Sequence, residues 1–183
     1  RRVEVVGAKV GVDFKRKAIL AVILSWAAML IYVGFRFEFR YGLGGILALV
    51  HDVIITIGAV SVMKMEFTIS ILAALIFIIG FSINDTIVVL DRIRENVKLN
   101  PKQKLGDVIN MSINQTLSRT ILTSLTVFLT VLALYIFGGA VIRDFAFALM
   151  VGVVIGTYSS IYIACTIVLF FQNLQIATIK GKK

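Results

Sequence analysis

A chain of 183 residues that is 59% hydrophobic and 16% charged, with a mean hydropathy of +0.98, lies outside the composition of soluble globular domains. Its net charge of +9 comes from 19 Lys and Arg that gather between apolar runs and at the ends, with no basic face interleaved with aromatics, so the charge argues for loops beside membrane spans and against nucleic acid. Cys165 is the only cysteine, which excludes an intrachain disulfide and any multi-cysteine metal site and leaves it as a small packing residue.

The chain opens at Arg1-Arg2 without Met or a secretory pattern, which reads as a piece cut from something larger. Five apolar segments of spanning length follow, at about 18–35, 43–63, 67–90, 117–137 and 145–171. Lipid leaves no partner for an unpaired backbone, so the expected fold is an all-α polytopic membrane protein, and the short breaks force neighbouring helices to run antiparallel. The exception is 91–116, which holds the only proline, Pro101, and places Leu105, Ile109, Ile113 and Leu117 four residues apart. That spacing predicts an amphipathic helix lying on or entering the membrane surface. A basic tail closes the chain over 172–183. Lys and Arg near the spans place the long loop and the C-terminus in the cytoplasm and residues 1–17 outside.

Ionisable groups inside apolar runs are rare because they are costly, which makes them functional candidates. Asp85, in the third segment, is the foremost; with the span ending at Asp91, it lies roughly 9 Å from the cytoplasmic boundary. Ser82 and Thr86 share its side of the helix, and Asn84 adjoins it. The fourth segment carries Gln115, Arg119, Thr123, Thr126 and Thr130 at steps of three or four, a polar stripe expected to face protein or water, with Arg119 deep enough to meet Asp85. Two readings stay open: a proton-carrying acid balanced by a cation, or a static ion pair that sets helix register. His51 and Asp52 in the second segment are about 100° apart on a helix, so they face different partners. The first segment has no interior charge and should be peripheral. In the fifth, Ala148, Gly152, Gly156, Ser160 and Ala164 form a small-residue ridge suited to close packing. No phosphate loop, Ser/His/Asp set or metal-ligand cluster occurs, so the expectation is a non-enzyme without cofactor or metal.

The words Leu49-Val50-His51-Asp52-Val53, Gly80-Phe81-Ser82-Ile83-Asn84-Asp85-Thr86, Asp91-Arg92-Ile93-Arg94-Glu95-Asn96, Ser112-Ile113-Asn114-Gln115-Thr116-Leu117-Ser118-Arg119-Thr120 and Gly152-Val153-Val154-Ile155-Gly156-Thr157-Tyr158-Ser159-Ser160-Ile161 together resemble the SecF family, accessory membrane subunits of the bacterial Sec protein-export machinery. The resemblance covers nearly the whole chain. It implies a helical bundle of the resistance-nodulation-division type in the cytoplasmic (inner) membrane, here five transmembrane helices plus the cytoplasmic-side amphipathic helix. It also implies that the family's first span and most of its exported domain are absent, with residues 1–10 as that domain's last strand. Ala8 stands where the family usually has proline.

The function so implied is use of the proton-motive force to assist export of preproteins, with Asp85 and Arg119 as the proton-transport residues. SecD, separate or fused, the SecYEG channel and the translocating preprotein are the implied partners, with YajC and YidC as further candidates. Two alternatives remain: half of a proton-driven exporter of small molecules or lipids from the same superfamily, and a structural assembly subunit without a proton path.

Overall fold

In the computed structural model, residues 8–36 and 39–171 are described, and among them all regular structure is helical. The elements are α1 (Ala8–Arg36), α2 (Phe39–Val62), α3 (Ile69–Leu99), α4 (Leu105–Phe137) and α5 (Gly139–Tyr158). The last continues through a five-residue π turn, Ser159–Ile163, and then as α-helix to residue 171. Among the described residues four stretches are long and apolar enough to cross a membrane: Tyr41–Val62, Ile69–Leu99, Leu105–Phe137 and Ile142–Phe171. The expected first span at 18–35 is helical within α1 but is not one of these four. The chain is a multi-pass membrane protein.

The strand expected over 1–10 lies mostly outside the described residues, and Ala8–Val10 are helical. The basic tail at 172–183 also lies outside them. The 91–116 stretch does not make a helix of its own. Its first part prolongs α3 to Leu99, and its last part is the opening of α4, because the chain turns at Asn100, whose backbone N–H donates to the Asn96 carbonyl at 2.9 Å, and Pro101 follows. The apolar step of four therefore presses α4 onto α3. Asn96 Nδ2 donates to Ser112 Oγ at 2.9 Å and Gln115 Oε1 at 2.8 Å, and Arg92 Nε donates to the same Gln115 oxygen at 2.6 Å.

Helix α5 is central and packs on α2, α3 and α4, whereas α1 packs on α2 and α3. Trp26 and Met29 of α1 lie against that core, but Ile19, Leu20, Ile23 and Leu24 are exposed, as expected for a peripheral helix. The bundle holds two apolar clusters. One, at the loop end, includes Leu49, Ile83, Leu90, Ile93, Ile109, Cys165 and Val168; the other includes Val60, Ile71, Leu75, Ile78, Val131 and Leu149. On α2, α4 and α5 the buried Asp52, Thr56, Ser124, Ser159 and Ser160 fall between the two clusters, and on α3 the buried Ser82, Asp85 and Thr86 lie beside Ile79, Ile83 and Val89 of the first. The domain thus has a buried polar layer set among the hydrocarbon of the two clusters.

Candidate functional site: a buried polar layer with two acids

Asp85 is 3% exposed and sits near the centre of the 31-residue α3, about 24 Å from one end and 21 Å from the other. Asp91 lies six residues, or about 9 Å, further along the same helix, and α3 then runs on to Leu99. The Asp85 carboxylate oxygen Oδ2 accepts a hydrogen bond from Ser124 Oγ of α4 at 3.3 Å, and Thr157 Oγ1 of α5 donates to Ser124 at 2.7 Å.

Arg119 makes no ion pair within 4.0 Å of Asp85, although its charge lies near enough to act on the carboxylate. It is exposed, whereas His51 with Asp52 and Arg92 with Glu95 do close to within 4.0 Å. The reason is helical phase. The inner stripe of α4 is Ser112, Thr116, Thr120 and Ser124, while Gln115, Arg119, Thr126 and Thr130 lie outside it and are exposed, with Thr123 partly so. Both stripes are polar at steps near four, so periodicity alone did not separate them. Hydroxyls bury at low cost because they return bonds to their own helix: Ser112 Oγ donates to the Val108 carbonyl at 2.7 Å and Thr116 Oγ1 to the Ser112 carbonyl at 3.1 Å. A guanidinium has no such option. Thr120 Oγ1 is buried and without a hydrogen-bond partner among the described residues, one turn from Ser124.

A second acid completes the layer. Asp52 of α2 is 0% exposed, accepts from Ser82 Oγ of α3 at 2.5 Å through Oδ2, and meets His51 Nδ1 at 3.1 Å through Oδ1. Adjacent on one helix, the two residues do face apart: Asp52 points inward, while His51, its side chain 31% exposed, folds back to reach the carboxylate. Thr86 and Ser160 hydroxyls share a hydrogen bond at 2.9 Å, and Ser160 lies 2.8 Å from the Gly156 carbonyl and 3.3 Å from the Ser82 carbonyl. Asn84, by contrast, points outward and is exposed.

The ridge on α5 is buried along its whole length, and its two glycines face different neighbours. A Cβ on Gly152 would collide with the Ile78 side chain, whereas one on Gly156 would stand 3.1 Å from Ser82 Cβ and 3.7 Å from Asp52 Oδ2. Gly156 is therefore part of the polar layer. Ser124, Thr157 and Ser159 belong to it too and were not singled out from sequence; the usable signal was their step of three or four from Thr120, Ser160 and Gly156. Among the described residues no group of His, Cys, Asp and Glu could hold a metal ion. The layer holds two buried carboxyls, Asp85 bonded to a hydroxyl and Asp52 to a hydroxyl and an imidazole.

A family model described as protein export membrane protein SecD/SecF, C-terminal, matches residues 1–174. The protein translocase subunit SecF of Koribacter versatilis is 52% identical over 173 residues, 94% of this chain and 43% of that protein. SecF of Calditerrivibrio nitroreducens is 52% identical over 95% of this chain and 58% of its own length, and SecDF of Thermus thermophilus 49% over 95% and 24%. The crystal structure of SecDF in a super-membrane-facing form superposes with a TM-score of 0.88 at 47% identity, covering 97% of this chain and 24% of that one. The chain spans about half the length of the SecF relatives and a quarter of the SecDF ones. With the match running through both acids and the α5 ridge, this chain belongs to the SecD/SecF family of protein-export membrane proteins.

Proposed function

We propose that this chain is the membrane domain of a SecF-type subunit, which uses the proton-motive force to assist preprotein export, and that Asp85 is its proton-carrying acid. One observation carries the reading: a buried carboxylate at the middle of a membrane-spanning helix whose direct partner is a hydroxyl, with no cation of this chain's described residues within ion-pair distance. A static register pair needs its cation beside it. Here Asp85 can take and release a proton as helices shift, with Ser124 donating to the ionised form and able to accept from the neutral one. A charge crossing the field gains about 2.3 kcal/mol per 100 mV, enough to bias such a shift.

The exposed side of α4 bears on the partner. Arg119, Gln115, Thr126 and Thr130 form a polar face on a spanning helix, which is unfavourable against lipid and favourable against protein. SecDF relatives carry the SecD and SecF parts in one name, and SecD is the occupant we assign to this face. The domain sits in the bacterial inner membrane with the 100–104 turn and the C-terminus cytoplasmic. SecYEG and the preprotein are the working partners, with YajC and YidC as accessories.

The test is preprotein export and proton flux in inverted vesicles containing the full-length protein with SecD. Asp85→Asn keeps size and hydrogen bonding but removes titration, so both activities should fall to background while the complex still assembles. An Asp85→Asn, Arg119→Gln double variant with wild-type export would leave only a structural subunit.

A further inference from the structure

Asp85 is not the only acid sealed in the polar layer, and the second one is better buried and better bonded. Asp52 uses both carboxylate oxygens: Oδ2 toward Ser82 of α3 at 2.5 Å and Oδ1 toward His51 at 3.1 Å. Within ion-pair distance among the described residues, the one titratable group facing it is His51, from its own helix. From α3 it meets Ser82, from α5 Gly156 and Ser159, and neither helix sends it a charged group. A fully enclosed carboxylate in a membrane with no Lys or Arg beside it is costly as an anion, and it is inexpensive if it shares a proton with the imidazole. The third member, Ser82, stands one turn before Asp85 on the same face of α3, so any motion of α3 that alters one acid's surroundings alters the other's.

Resting on the reading of Asp85 as a proton carrier, we propose that His51, Asp52 and Ser82 form a second proton-binding site, loaded through His51. The imidazole is the loading end because it alone among the three is not sealed inside the bundle, its side chain 31% exposed on the outer face of α2 midway along the Tyr41–Val62 span. A proton arriving at Nε2 makes the imidazolium; the Nδ1 proton then passes to Asp52 Oδ1, leaving a neutral ring and a neutral carboxylic acid. Ser82 Oγ goes on donating to Oδ2, which is the carbonyl oxygen of the neutral acid. No other reactant is consumed. The domain then holds two protons when fully loaded, one on each flank of the 156–160 stretch of α5. Gly156 keeps that stretch thin enough for Ser82 to reach Asp52.

The experiment is infrared difference spectroscopy after a pH jump on the full-length protein assembled with SecD in liposomes, following the carbonyl stretch of protonated carboxylic acids. In an Asp85→Asn background a carboxylic acid band should remain, and adding Asp52→Asn should abolish it. Ser82→Ala, which keeps the acid and is milder for folding, should move that band to higher frequency by removing its hydrogen bond. His51→Asn keeps a donor near the Nδ1 position but has no second ring nitrogen, and it should slow the band's appearance by roughly a hundredfold, the lower range for a positioned acid–base group. A band absent in Asp85→Asn, unmoved by Ser82→Ala, or appearing at the wild-type rate in His51→Asn would overturn the second site. Failure of the Asp85 reading shows itself separately, as normal export in Asp85→Asn.

Discussion

Gly152→Ala isolates the closest approach in the bundle. In an unobstructed helix the change would stabilise by about 1 kcal/mol, the propensity gap between the two residues. Here the new methyl meets the Cδ1, Cγ1 and Cγ2 atoms of Ile78, a side chain 0% exposed, so α3 and α5 must part or Ile78 must leave its position. Overpacking of this kind costs about 1–3 kcal/mol and more when a whole helix face must move. The net expectation is a loss of about 1–2 kcal/mol, or roughly 2–8 °C in the melting temperature of the detergent-solubilised complex. The diagnostic measurement is the double variant. Ile78→Ala alone leaves a void and destabilises, but in its presence the methyl introduced at position 152 gains room, so Gly152→Ala should turn neutral or stabilising, a coupling of roughly 1–3 kcal/mol. Additive losses, or a Gly152→Ala protein that melts at or above wild type, would show that the α3–α5 contact is looser than the structure has it.

Two further outcomes follow from the polar layer and the topology. Ser124→Ala removes the hydroxyl that Asp85 accepts from, so proton flux should fall several-fold with little change in assembly, whereas Thr157→Val, whose hydroxyl also lies 2.7 Å from the Val153 carbonyl, should cost less; equal losses would separate Ser124 from Asp85's function. For orientation, Asn96 is 3% exposed and poorly suited to labelling, but Lys102 and Glu66 are exposed on opposite ends. A membrane-impermeant thiol reagent applied to intact cells should modify Glu66→Cys and spare Lys102→Cys, and the reverse pattern would invert the topology.

The helices and the leading acid were legible because they rest on strong signals: lengths of apolar sequence that lipid demands, and a carboxylate where lipid forbids one. The end of α3 was not legible, because charge marks where a membrane ends and says nothing of where a helix ends; α3 continues to Leu99 by burying Ile93 and Asn96 against α4. The direct Asp85–Arg119 contact expected from depth is not made, although the guanidinium still acts on the carboxylate from the exposed side of α4. Two polar stripes a residue apart differ in what their groups can do when buried, and only the hydroxyls can return a bond to the preceding turn. His51 and Asp52 were correctly read as facing apart, yet the imidazole's reach back to its neighbour depends on a rotamer that no sequence pattern encodes.

The π turn at Ser159–Ile163 has an arithmetic consequence. Residues four apart gain about 40° per step on an ideal α-helix, so a ridge from Ala148 to Ala164 should wander by about 160° and leave its groove. Every member of the ridge is nonetheless buried. The wider turn absorbs one residue, or about 100° of that drift, and behaves as an insertion already accommodated by the fold. Shortening 159–163 by a single residue would restore ordinary winding and leave Ala164, Cys165 and Val168 in phase with their neighbours on α2. The same deletion at Val154 would swing all three by about 100° toward lipid.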